Sequence, residues 1–177
     1  MQHFLSMTDL SRQQLQHVLD VAFHLRQQRA SSTPNDPVLA YKTLLLLFEK
    51  PSLRTRLSFE QAMLEQGGRA IAMSGAEVGI GTREAAADIA QVASGMIHGI
   101  CARVYEHAKL VDMAKHSSVP VINALSDESH PCQALADMTN GIGTLALAAM
   151  LHQQSDAATR PAVDFAADPL AARLGHH

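Results

Sequence analysis

The stretch that decides the fold runs from Leu44 to Glu60 and reads LLLLFEKPSLRTRLSFE. Its apolar run ends at Phe48, breaks at Glu49-Lys50-Pro51, and resumes as an amphipathic helical pattern. A near-continuous apolar run of this length is typical of a strand that is covered on both faces. Between this strand and the helix, four of the five residues 52–56 carry hydroxyl or guanidinium groups: Ser52, Arg54, Thr55 and Arg56.

Two interpretations of this polar turn are open from the local sequence. A helix N-terminus offers unpaired N–H groups and a partial positive charge. With hydroxyl donors and an arginine fork added, it forms a receptor for a phosphate dianion. Alternatively, the turn is an ordinary loop in which Ser52 caps the helix and Arg56 pairs with Glu60 one turn later.

Strand and helix patterns alternate along the chain. Strands are expected at residues 42–48, 69–74, 99–105 and 119–125, and helices at 4–29, 52–66, 82–96, 106–116 and from 130 onward. The first helix is expected to be capped by Thr8 or Ser11. Residues 30–37 are expected to form a loop, and the glycine-rich residues 75–81 are expected to form a mobile loop without packed side chains. The alternation predicts an α/β fold: a doubly wound, four-stranded parallel sheet with helices on both faces.

Polar residues follow three of the predicted strands. They are the turn at Ser52 to Arg56, Arg103 near the end of the third strand, and His130 to Gln133 after the fourth. Ligands of such folds bind at the carboxyl ends of the strands. The shared position therefore favours the phosphate interpretation of the first turn.

The composition narrows the function classes. The chain has 177 residues, 47% hydrophobic and 18% charged, with a net charge of −3, so no nucleic-acid partner is expected. No apolar run reaches the roughly 18 residues of a membrane span.

The cysteines, Cys101 and Cys132, are expected to be reduced thiols of a cytoplasmic protein. The ten histidines do not repeat at ligand spacing, so no metal site is expected. His107 and Lys109 are expected to be solvated helix residues.

Four segments together resemble the amino-terminal, carbamoyl-phosphate-binding domain of ornithine carbamoyltransferases. They read FEKPSLRTRLSFE, EVGIGTREAAADIAQV, ARVYEH and VPVINALSDESHPCQALADM, and the resemblance covers about residues 4–138. The motifs SxRTR and HPxQ, in this order, mark the aspartate/ornithine carbamoyltransferase superfamily. FEKPS and LSD favour its ornithine branch.

The resemblance implies a reaction and a site. Carbamoyl phosphate and L-ornithine give L-citrulline and phosphate without a cofactor or metal, in arginine metabolism. Donors at the carbamoyl oxygen stabilise the charge that develops there. Arg103 and His130 are the implied catalytic residues. The implied substrate-binding residues are Ser52, Leu53 (through its backbone), Arg54, Thr55, Arg103, His130, Pro131, Cys132 and Gln133. The chemistry needs no covalent nucleophile, so Cys132 need not be one.

The resemblance stops after Met138. Residues 1–138 are expected to form the carbamoyl-phosphate domain, and residues 139–177 a divergent helical segment with a weakly ordered tail. No counterpart of the ornithine-binding domain of relatives is expected, so the chain is expected to bind carbamoyl phosphate weakly and to turn over poorly or not at all. The resemblance also implies a homotrimer. Two alternatives are an inactive truncated relic that binds a phosphate ligand or a partner subunit, and a carbamoyltransferase for aspartate or a modified ornithine.

Overall fold

Strands and helices alternate through the chain, as a computed structural model shows for residues 3–31 and 34–139. The strands in these ranges are β1 Thr43–Phe48, β2 Arg69–Ser74, β3 Gly99–Arg103 and β4 Val121–Leu125. The α-helices are α1 Arg12–Ala30, α2 Leu53–Glu65, α3 Gly75–Val78, α4 Ala86–Ser94, α5 His107–His116 and α6 Pro131–Met138. None of these helices has the length and apolar character needed to cross a membrane. The predicted segment 139–177 lies, except for Thr139, outside the described residues.

The four strands form one parallel sheet in the order β2-β1-β3-β4, which confirms the predicted α/β fold. The apolar run that opened the sequence becomes β1, an interior strand of the sheet, and all six of its residues are buried. An interior strand covered by helices on both faces has no solvent-facing side. This explains why its sequence shows no alternation of apolar and polar residues.

Alternate residues of β1 face two separate hydrophobic layers. Leu44 and Leu46 pack in one layer with apolar residues of α1, α2 and α6: Val18, Ala22, Phe59, Met63, Cys132 and Leu135. Leu45 and Leu47 pack in the other layer with residues of α4 and α5: Ala86, Ile89, Ala90, Leu110 and Met113. The sheet therefore carries helices on both faces, as predicted.

The strand order reverses direction at one place in the sheet. From β1 the chain crosses to β2 on one side, and then returns to β3 on the other side of β1. The gap between the carboxyl ends of β1 and β3 is therefore a topological switch point, the usual ligand position in open α/β sheets. The N–H of Glu49 donates to the carbonyl of Arg103 at 2.8 Å and closes the ladder at this point.

The predicted helix over residues 4–29 is wrong in its first turns. Phe4 instead pairs in parallel with Ile122, donating to the Val121 carbonyl at 2.8 Å and accepting from the N–H of Asn123 at 2.8 Å. These bonds cover the otherwise free edge of β4, and Phe4 is 1% exposed. The helix α1 begins only at Arg12, with Ser11 as its cap, so tertiary pairing overrides the local helical spacing.

The prediction that residues 75–81 lack packed side chains is also wrong. They contain the single-turn helix α3, whose capping box joins Ser74 and Glu77. Gly79 ends this turn with φ 75°, a left-handed conformation that favours glycine, and Ile80 is buried. Because residues 79–84 complete this turn, α4 begins at Ala86 rather than at the predicted Thr82.

Replacing Phe4 tests the edge pairing. Phe4→Ala should lower the free energy of unfolding by about 3–5 kcal/mol, because it empties a buried site that the edge pairing closes. Phe23→Ala is the matched control, since Phe23 is 46% exposed on α1, and should change the stability by less than about 1 kcal/mol. Urea unfolding followed by circular dichroism measures both. Equal effects of the two substitutions would contradict the assigned role of Phe4.

Candidate functional site

The turn after β1 and the end of β3 meet at the switch point. The hydroxyl of Ser52 donates to Oγ1 of Thr55 at 2.8 Å, and Nη1 of Arg103 donates to Oγ of Ser52 at 3.2 Å. Residues about fifty positions apart in sequence are thereby joined into one cluster of hydroxyl and guanidinium donors. The cluster stands at the N-terminus of α2, where backbone N–H groups and the helix dipole favour an anion.

The alternative in which Ser52 merely caps α2 is not what the structure shows. Ser52 occupies the N-cap position, but its side chain makes no capping hydrogen bond. Its hydroxyl is instead shared between Thr55 and Arg103. The other half of that alternative is right, because Nε of Arg56 contacts Oε1 of Glu60 at 2.8 Å. The first turn of α2 therefore has no side-chain cap competing with an incoming ligand.

Arg103 carries a buried donor without a protein partner. Its Nε is buried and makes no hydrogen bond within the described residues. A buried N–H that is left unpaired costs free energy, and such groups in native proteins commonly serve a ligand or an ordered water. The pairing register of β3 with β4 shifts between Ala102 and Arg103, and an irregularity of this kind re-aims a side chain at the end of a strand.

Arg54 and Leu53 stand at the rim of this cluster. In the described part of the chain, the guanidinium of Arg54 makes no hydrogen bond or ion pair, and only its main-chain carbonyl is engaged, by the Ser58 hydroxyl at 2.7 Å. The Leu53 side chain is 75% exposed, so only its backbone can serve the site. The guanidinium of Arg54 thus has no protein partner in the described residues and stands beside the Ser52 and Thr55 hydroxyls.

His130 stands at the N-cap of α6 with a defined protonation pattern. Its Nδ1 accepts the N–H of Gln133 at 3.3 Å, so Nδ1 carries no proton and the neutral ring presents Nε2–H as a donor. The pKa of His130 is lowered below 6.5, first by burial and then by the positive charge of Arg103, against an opposing effect of Asp137. Arg103 ends β3 and His130 follows the neighbouring parallel strand β4, so both groups stand at the same edge of the sheet.

Gln133 is the predicted site residue whose side chain is committed elsewhere. Its Nε2 donates to Oδ1 of Asp137 at 2.7 Å, one turn further along α6. No hydrogen bond joins it to Arg103 or Ser52 among residues 34–139. The bond to Asp137 fixes the amide, however, so that Oε1 of Gln133 is the atom left to accept a donor.

Pro131 and Cys132 shape the start of α6. Pro131 occupies its first turn, where a missing N–H costs nothing. Cys132 is buried, and its Sγ donates to the carbonyl of Asn123 at 3.0 Å. Burial raises the pKa of this thiol far above its ordinary value, so no thiolate nucleophile is available there at neutral pH.

One set of contacts was missed by the sequence analysis. His107 is not solvated as predicted, because its N–H donates to Oδ1 of Asp127 at 2.7 Å and its Nδ1 lies 2.8 Å from Oγ of Ser126. These bonds fasten the segment before His130 to the start of α5. The available signal was the position of Ser126 and Asp127 directly after a strand, at the edge where the other polar clusters lie.

No metal centre emerges in the same region. Within residues 3–31 and 34–139, no group of three His, Cys, Asp or Glu side chains could hold a metal ion. The donors at the switch point are N–H, O–H and guanidinium groups. This set is suited to an anionic oxygen ligand and not to a cation.

Comparison with known proteins identifies relatives of this site. The family model for the aspartate/ornithine carbamoyltransferase carbamoyl-P binding domain matches residues 2–140. The ornithine carbamoyltransferase of Methanocorpusculum labreanum is 46% identical over 134 residues, covering 76% of this chain and 44% of that protein. The chain thus spans less than half of the length of such curated relatives.

Solved structures of carbamoyltransferases also superpose on this chain. The ornithine carbamoyltransferase of Pyrococcus furiosus superposes with a TM-score of 0.75 at 40% identity, over 78% of this chain and 44% of that one. The catalytic subunit of aspartate transcarbamoylase from M. jannaschii gives a TM-score of 0.71 at 33% identity, over 78% and 46% of the two chains.

Titration of His130 tests the electrostatics of the site. The pKa of His130 in the folded protein should lie below 6.5, because the fold favours the neutral ring. The folded state is therefore most stable, as far as His130 is concerned, above about pH 6.5. This stabilisation is lost as the pH falls through the lowered pKa. In Arg103→Met the pKa of His130 should rise, because a neighbouring positive charge is removed. NMR of the His130 ring between about pH 8 and about pH 5 measures both. An unchanged pKa in Arg103→Met would show that the two side chains do not interact.

Proposed function

This chain belongs to the aspartate/ornithine carbamoyltransferase family through its carbamoyl-phosphate-binding domain, and we propose that it binds carbamoyl phosphate at the β1–β3 switch point. The bound ligand is the carbamoyl donor for the amine of L-ornithine, giving L-citrulline and phosphate. Arginine metabolism in the cytoplasm is the proposed setting, with no cofactor and no nucleic-acid or membrane partner.

The observation that carries the proposal is the buried, unpartnered Nε of Arg103 beside the Ser52 hydroxyl. A guanidinium with one edge on a hydroxyl and one unused N–H is suited to a ligand with two neighbouring oxygens. Carbamoyl phosphate provides a phosphate oxygen and a carbonyl oxygen that are separated by the P–O–C linkage. Arg103 is therefore proposed to contact both ends of the molecule.

The phosphate end of the ligand is proposed to bind at the turn before α2 and at the first turn of α2. The backbone N–H groups of Leu53 and Thr55, and the Ser52 hydroxyl once it turns away from Oγ1 of Thr55, supply neutral donors, and Arg54 supplies the opposing charge. As the C–O bond to phosphate breaks, charge accumulates on the leaving phosphate. A fixed guanidinium at the rim stabilises that charge without reorganising.

The carbamoyl end of the ligand is proposed to bind Arg103 and the start of α6. An uncharged amine attacks the carbamoyl carbon, and negative charge then develops on the carbonyl oxygen. Arg103, the Nε2–H of His130 and the Thr55 hydroxyl are the donors proposed for that oxygen, so they bind the transition state better than the ground state. Gln133, whose amide nitrogen is held by Asp137, offers its Oε1 to the carbamoyl NH2. Pro131 and Cys132 support the backbone between these two side chains.

The choice of ornithine as acceptor is supported by the relatives. The solved ornithine carbamoyltransferase of Thermus thermophilus matches at 43% identity, compared with 33% for the aspartate transcarbamoylase subunit. The FEKPS and LSD segments favour the same branch. Aspartate is the second candidate, because that aspartate transcarbamoylase matches over a similar share of this chain, 78%.

A homotrimer is proposed from the family resemblance, with residues 1–138 as the folded unit that assembles. The outer edge of β2 pairs with no other strand within the described residues, and Ile71 and Met73 on it are 47% and 39% exposed. Light scattering of the purified chain, with and without carbamoyl phosphate, measures the assembly.

Replacing Arg54 tests the phosphate end. Arg54→Ala should weaken the binding of carbamoyl phosphate and of inorganic phosphate by about tenfold or more, because a charge-assisted contact is lost. Arg56→Ala is the matched control, since Arg56 is two residues away and already paired with Glu60; it should leave the affinity nearly unchanged. Isothermal titration calorimetry measures both. Equal losses would remove the assigned role of Arg54.

Product analysis tests the acceptor. With carbamoyl phosphate and either L-ornithine or L-aspartate, the expected product is citrulline and not carbamoyl aspartate. Mass spectrometry after incubation with the purified chain distinguishes the two. Carbamoyl aspartate as the main product would overturn the choice of acceptor. Carbamoyl phosphate binding by calorimetry with no product from either amine would limit the function of this chain to carbamoyl phosphate binding.

A further inference from the structure

Lys109 and Glu49 form a largely buried ion pair beside the site. Nζ of Lys109 donates to Oε1 of Glu49 at 2.7 Å, and the exposed fractions of the two side chains are 20% and 8%. Lys109 also lies 3.6 Å from Glu106 on its own helix. The prediction that Lys109 is a solvated helix residue is therefore wrong. The hydrogen bond to Glu49 raises the pKa of Lys109, so the ammonium form is retained at neutral pH.

Glu49 holds the main chain at Arg103 and just after it. Its backbone N–H donates to the Arg103 carbonyl at 2.8 Å, and its Oε2 accepts the N–H of Tyr105 at 2.7 Å. The regular ladder between β3 and β4 is interrupted just before Arg103, where the register shifts. At this point the backbone direction, and hence the aim of the guanidinium, depends on the Glu49 contacts as well as on the sheet.

The segment after β2 covers the pair. A side chain at Gly75 would bring its Cβ within 2.9 Å of Cγ and 3.1 Å of Cα of Glu49. At Gly81, whose φ is +75°, a Cβ would lie 3.4 Å from Nζ of Lys109. Glycine at position 75 allows the backbone to approach Glu49 closely, and glycine at position 81 allows the positive φ that carries the chain past Lys109, so this segment shields the ion pair from water. Shielding strengthens the attraction between the two charges.

We propose that Lys109 and Glu49 are positioning residues of the anion site, which fix the main chain of Arg103 so that its guanidinium lies against Ser52. The inference rests on the proposed function, since it assigns to the pair the alignment of the arginine that would contact carbamoyl phosphate. Lys109 acts through Glu49: it holds the carboxylate in the one orientation that also reaches the Tyr105 N–H. Neither side chain hydrogen-bonds to Arg103 through its own functional group in residues 34–139.

The physical reason is that a buried carboxylate tolerates few arrangements. With Lys109 present, both carboxylate oxygens of Glu49 are hydrogen-bonded, and the charge is balanced. Without Lys109 the carboxylate would be buried and uncompensated, which is strongly unfavourable. It would turn toward water and release the Tyr105 N–H, and the strand end that carries Arg103 would lose one of its ties.

The first experiment needs no ligand. In protein with 15N-labelled arginine, the Nε–H resonance of Arg103 should be resolved and assigned by its loss in Arg103→Lys. Lys109→Met should shift or broaden this resonance, while Lys115→Met, which removes an exposed lysine from the same helix, should leave it in place. Glu49→Ala removes the carboxylate itself and should displace the resonance likewise. If Lys109→Met does not fold, the resonance in Glu49→Ala tests the positioning role instead.

The second experiment measures affinity. Lys109→Met should weaken the binding of inorganic phosphate and carbamoyl phosphate by about tenfold, and Lys109→Arg should restore most of it. An Arg103 resonance that is unchanged in folded Lys109→Met or Glu49→Ala would overturn the positioning role, whatever the affinities are. If the unmodified chain bound neither ligand, the proposed function would fail, and the resonance would still decide whether the pair positions Arg103.

Discussion

The parallel pairing of β1 with β3 is the constraint on which the rest of this structure depends. It buries an apolar strand on both faces and, at the same time, brings the turn after β1 beside the last residue of β3. Ser52 and Arg103 can share a hydrogen bond only because of that pairing. The hydrophobic effect that stabilises the sheet therefore also offsets the cost of partly burying a charged side chain against a hydroxyl cluster.

The electrostatics of the site follow from this arrangement. A half-buried imidazole near a guanidinium favours its neutral form, and His130 is therefore a hydrogen-bond donor at neutral pH and not a second cation. The thiol of Cys132 is kept protonated by burial and serves as a donor to a strand carbonyl. Positive charge at the site comes from arginine side chains and a helix N-terminus, an arrangement that is suited to an anion.

Several parts of the molecule could be predicted because their causes are local. A run of apolar residues followed by Pro51 and an amphipathic pattern predicts a buried strand, a turn and a helix, since each depends on neighbours in sequence. The four-stranded parallel sheet follows from their alternation. Long-range contacts defeated the same reasoning: Phe4 has helical spacing but is drawn into edge pairing with Ile122, and Lys109 has the pattern of a solvated residue but finds Glu49, sixty positions away.

The order of residues was sufficient to predict the α/β class, the positions of the polar clusters relative to the strands, and the presence of arginine and hydroxyl donors in them. Which of these donors already have partners became visible only in the folded chain. Arg56 and Gln133 are engaged by acids on their own helices, whereas Nε of Arg103 is buried without a partner. The physical reason is that hydrogen-bond satisfaction depends on distances between elements, which the order of residues along the chain does not contain.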